Sequence, residues 1–99
     1  MSQYNPKFVE EIKAYDPELY ILANAAADEA YADGALDVKT KLLIAMALDA
    51  AAGNQGGVTS LASKARANGA REEEIKEALR IAYFISGMKV VKAATGVQG

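Results

Sequence analysis

Apolar residues recur at helical spacing along almost the whole chain. Leu19, Leu22, Ala23, Ala26 and Ala30 fall on one side of a helix predicted over residues 17–32. A shorter helix is predicted over 6–14, with Phe8, Val9 and Ile12 as its apolar face. Asn5-Pro6 and Asp16-Pro17 open these two helices, each pairing a capping side chain with a proline at the first helical position. Gly34 is expected to close the second helix in the left-handed conformation. Asp37 reads as the next cap, before a third helix over 38–52 that ends at Gly53. The middle of that helix, residues 42–48, is apolar on every face, which predicts a central, surrounded element. A buried strand is the rival reading, but length and alanine content favour a helix. A loop, Asn54-Gln55-Gly56-Gly57, leads to a fourth helix over 58–68, closed by Gly69. A fifth opens near Arg71, with Glu72, Glu73 and Glu74 placed to favour the helix dipole. Ile75, Leu79, Ala82 and Ile85 are expected to form its buried face. Gly87 is expected to interrupt it, leaving a short last helix over 88–95. There is no strand pattern and no repeat. The expected fold is all-α, a single-domain bundle of about six helices over residues 1–99.

Composition narrows the chemistry. Of the residues, 52% are hydrophobic and 24% charged, which excludes a disordered chain. Cysteine and histidine are both absent. Thiol redox chemistry and thiolate zinc sites are excluded, and the commonest general base is missing. No metal site and no cofactor are expected. The net charge of −2 comes without a basic stripe, so no nucleic-acid partner is expected. The longest apolar run breaks at Asp49, too short to span a bilayer, and residues 1–6 carry no apolar signal core. A soluble, cytoplasmic protein without a membrane partner is the expectation.

Three segments carry a family resemblance: YADGALDVKTKLLIAMA from Tyr31, ARANGAREEEIKEAL from Ala65 and AYFISGMKVVKAA from Ala82. Together they resemble the carboxymuconolactone decarboxylase and alkylhydroperoxidase D-like superfamily, over roughly residues 8–94. The resemblance implies an all-helical protomer assembling as a trimer or hexamer. It also implies where chemistry would sit. The peroxidase branch has a CxxCxxxH motif after its central helix, whose positions fall on Asn54, Gly57 and Leu61. The proton-relay glutamate of that branch falls on Leu42. The decarboxylase branch keeps the histidine, which is again Leu61. The resemblance therefore carries fold and assembly but none of the family's catalytic residues.

The remaining candidates are few. Asp49 interrupts the apolar third helix one turn before the loop where the family keeps its active site. Buried, it would need a partner or a raised pKa suited to acid–base work; otherwise it faces solvent or a neighbouring subunit's lysine. The loop from Gly53 to Gly57 precedes a helix and would offer backbone N–H groups to an anion, or simply form a turn. Leu42, Asn54, Gln55, Gly56, Gly57 and Leu61 are thus the expected pocket. Tyr83 and Tyr31 are candidate hydrogen-bond donors or core and interface residues. Glu29 and Asp33, four apart, would share a helix face, as a weak metal pair or a solvated one. Met46 and Met88 are expected to fill the core. Lys39 and Lys41 are expected at the surface.

Two functional classes follow. The first is a non-redox oligomeric protein of the family that binds an unidentified ligand, with a small organic acid as the candidate, without the family chemistry. The second is a cofactor-free lyase, decarboxylase or isomerase acting on a small organic acid, for which Asp49, Tyr83 and the loop amides would be the local suppliers of chemistry. The apolar residues of the first and last helices, Phe8, Val9, Ile12, Val90, Val91 and Ala94, have no obvious inner partners. They point to self-association.

Overall fold

A computed structural model describes residues 4–98. It contains five α-helices and a closing 3-10 turn among the described residues: α1 (Lys7–Glu11), α2 (Pro17–Tyr31), α3 (Val38–Ala51), α4 (Gln55–Ala67), α5 (Glu72–Ala94) and the turn Thr95–Gln98. The chain resolves into two compact units that divide at the start of α3, between Val38 and Lys39.

The first unit holds α1 and α2. Asp16 caps α2 as its sequence predicts: its Oδ1 accepts from the Leu19 N–H at 3.0 Å, and Pro17 follows at the first helical position. Asn5 does not cap α1. Pro6 stands at that cap without a side-chain bond. Asn5 instead donates through Nδ2 to Oδ1 of Asn24 at 2.9 Å, and Asn24 donates to the Tyr20 carbonyl at 3.0 Å. These bonds satisfy Asn24, the buried polar residue of this unit. Tyr20 donates to Oε2 of Glu10 at 2.9 Å, tying α2 to α1. That bond raises the Tyr20 pKa, helped by desolvation and by the nearby negative charge. Tyr31 stacks on Tyr4 with ring centroids 4.5 Å apart. α2 ends without the expected left-handed glycine. Ala32 leaves the helix in extended backbone, and among the described residues only Gly53 and Gly69 have positive φ.

The second unit holds α3, α4 and α5 around a small core. Met46 of α3, Ala62 of α4 and Ile75 of α5 meet there, with Leu43, Val58, Leu61, Ala70, Ala78 and Leu79 packed against them. The α3–α4 corner turns on Gly53 (φ 75°) and the α4–α5 corner on Gly69 (φ 94°), both in the left-handed region that glycine adopts without penalty. Lys39 Nζ bonds Oε2 of Glu74 at 2.9 Å, joining the first turns of α3 and α5.

Three expectations change here. α3 is not surrounded: Leu42 and Met46 are fully buried, but Ile44 and Leu48 on the same helix are exposed. Gly87 does not break α5, which runs unbroken from Glu72 to Ala94. A single interior glycine costs about 1 kcal/mol, which a long helix absorbs. Met88 is exposed on α5 rather than packed in the core.

Candidate functional site

The segment between α3 and α4 is shorter than its glycines suggest. Asn54 is the N-cap of α4: its Oδ1 accepts from the Gly57 N–H at 3.1 Å, so Gln55, Gly56 and Gly57 form the first helical turn and not a loop. Two glycines there disfavour a helix, but the asparagine cap and the left-handed Gly53 supply its start.

Asp49 leans onto this turn. Asn54 Nδ2 donates to Asp49 Oδ1 at 3.3 Å, and the Asn54 N–H donates to the Asp49 carbonyl at 2.9 Å. The Asp49 carboxyl packs so closely on Gly57 that a Cβ there would lie 2.7 Å from Asp49 Cγ and 2.8 Å from Asn54 Nδ2. Gly57 is thus the residue over which the carboxylate lies. The half-buried carboxylate occupies the partly positive first turn of α4, where an external anion would otherwise be favoured.

An open hollow of about 230 Å³ lies beside the corner, lined by Ala50, Gly53, Asn54, Gln55 and Val58. Of the expected pocket residues, Asn54 and Gln55 line it. Gly56 and Gly57 belong to the helical turn. Leu42 is fully buried and Leu61 is half-buried against the core. Tyr83 is 82% exposed on α5 and lines neither this hollow nor the groove described next. Glu29 lies on α2, whereas Asp33 lies beyond its end at Tyr31, so the two do not share a helix face. Among the described residues no group of three or more acidic side chains is placed to hold a metal ion.

A second depression was not anticipated. A groove of about 330 Å³ runs between α3 and α5, floored by Ala47, Ala51, Ala78 and Ala82 and edged by larger apolar residues. Ile44 with Leu48, and Ile81 with Ile85, each sit four apart and outward. Those paired spacings carried the signal, but they read equally well as buried faces.

At the start of α5, Glu74 Oε1 accepts from the Arg71 N–H at 2.8 Å. That bond, then the Lys39 hydrogen bond, holds the Glu74 carboxyl below its ordinary pKa. Glu72 is lowered chiefly by its hydrogen bonds to Arg66, at 2.5 and 3.3 Å. These contacts secure the helix start and engage both Glu72 and Glu74.

An all-helical chain with three helices packed about a small core, and no thiol at the α3–α4 corner, defines a helical-bundle protein without redox cysteines. Residues 17–98 match the carboxymuconolactone decarboxylase family, and the chain belongs to that family. No curated protein and no solved structure matches it significantly. Among the described residues no helix is long and apolar enough to cross a membrane.

Proposed function

We propose that this chain is a non-redox member of the family that acts as a self-assembled binding protein. The observation that carries this reading is the burial of Leu42 and the packing of Leu61. At the two positions where the resemblance puts a relay glutamate and a histidine, the chain has apolar side chains that fill its core. Restoring an ionisable group at Leu42 would bury a charge at a cost of several kcal/mol. The binding role falls to the hollow by Asn54, and self-assembly to the exposed apolar residues of α5 and α1. The lyase reading finds less support. Asp49 is engaged by Asn54 and Gly57, and Tyr83 lines neither the hollow by Asn54 nor the α3–α5 groove.

The test is peroxide turnover with a dithiol reductant, using metal-free protein. No rate above buffer is expected, because the family's peroxide chemistry needs a thiolate nucleophile. A measurable rate would overturn the non-redox reading. Light scattering is expected to give a trimer or hexamer at micromolar concentration, and a mass near 10.4 kDa would remove the assembly.

A further inference from the structure

The groove between α3 and α5 continues into an apolar stripe along α5. Ile81, Phe84, Met88 and Val91 follow at three- and four-residue steps, Ile85 stands four after Ile81 and three before Met88, so they share one helix face, and all five are exposed. This is the spacing with which two helices pack side by side. The stripe is bounded by opposite charges. Glu77 stands one turn before Ile81, and Lys92 stands one turn after Met88. Neither side chain forms an ion pair with a described residue.

We infer, resting on the self-assembly proposed above, that α5 of a second copy covers this face, laid antiparallel across a two-fold axis near Phe84 and Ile85. In that arrangement Ile81 meets the partner's Met88, and Glu77 meets the partner's Lys92. The axis makes each contact twice. A parallel pair would set Glu77 on Glu77 and Lys92 on Lys92, so the charge pattern selects the antiparallel one. The alanine floor of the groove leaves room for the larger side chains of the incoming helix. A small ligand is a poorer occupant, because Thr40 is the one polar side chain in the lining and little would orient a guest. A two-fold contact also restricts the assembly. It builds a dimer, or a hexamer made of two trimers, and it is absent from a lone trimer.

The test is a charge swap, read by light scattering and sedimentation over a dilution series. Glu77→Lys and Lys92→Glu each replace two attractive contacts per pair by two repulsive ones. Each is expected to raise the dissociation constant of the pair about tenfold. The double variant, Glu77→Lys with Lys92→Glu, is expected to return to within about twofold of the original chain, since the attraction is restored with its sign exchanged. Both positions are exposed, and circular dichroism checks that the helices persist. An oligomer whose dissociation ignores both single reversals, or a double variant as weak as the singles, overturns the antiparallel pairing while leaving self-assembly standing. A monomeric original chain overturns both. A lone trimer overturns the two-fold contact alone.

Discussion

At Gly57 a hydrogen atom is all that the first turn of α4 accommodates, because the Asp49 carboxyl lies over it. Alanine in a helix ordinarily gains up to about 1 kcal/mol over glycine. At this position the sign should reverse. Gly57→Ala forces the Asp49 and Asn54 side chains aside and so disturbs the Asn54 cap, and it is expected to destabilise by about 1 kcal/mol, the usual value of such a cap. Gly56, one residue earlier, is the control. A Cβ there would meet nothing closer than 3.8 Å, so Gly56→Ala should be neutral or stabilising by up to about 1 kcal/mol. Urea melts of the two variants check the contrast. Adding Asp49→Ala to Gly57→Ala should recover part of the loss, since the two residues are in contact and their effects do not add. Two alanine variants of equal stability would mean that the carboxylate does not lie on Gly57.

At the level of the helix, α5 is held at its start by charge and is weak at its middle. Glu74 and Glu72 have folded pKa values below their unfolded ones. A depressed carboxylate contributes stability that is fully present above the unfolded value, about 4.3, and is lost as pH falls through the lower folded value. The stability gap between the original chain and Glu74→Gln should therefore be constant above about pH 5 and shrink as pH falls further. Urea melts across that range measure it, and a gap that widened on acidification would contradict the sign. In the middle of α5, a Cβ on Gly87 would meet no atom within 4 Å. Gly87→Ala should stabilise by about 1 kcal/mol through helix propensity alone, raising the thermal midpoint.

For the whole molecule, the exposed apolar residues of α5 decide the outcome. Phe84 is 61% exposed and Val91 is 59% exposed, in company with Ile81, Ile85 and Met88. An exposed apolar surface of this kind is where the proposed self-assembly would make its contact. Val91→Asp should lower the oligomer mass seen by light scattering, because it would bury an unpaired charge at that contact. The helical signal should persist, since Val91 makes no part of the core around Met46. An unchanged mass would place the assembly surface elsewhere.

Most of the helices were legible from local signals. Asp16-Pro17 marks the start of α2, Gly53 and Gly69 mark the ends of α3 and α4, and the three glutamates mark the start of α5, because caps, left-handed glycines and dipoles act within one turn. The lack of any thiol was legible too, since a residue type absent from the chain cannot be supplied by folding. Where each apolar face goes was not legible. Periodicity says that Ile44, Leu48, Ile81 and Ile85 lie on helix faces, but burial depends on which helices pack nearby. Only packing shows that Leu42 and Met46 are inside while Ile44 and Leu48 are out. Asn5 likewise left its expected cap for Asn24, nineteen residues away, and Asp49 came to rest on Gly57. Those pairings are set by how the chain folds back on itself, which no local pattern encodes.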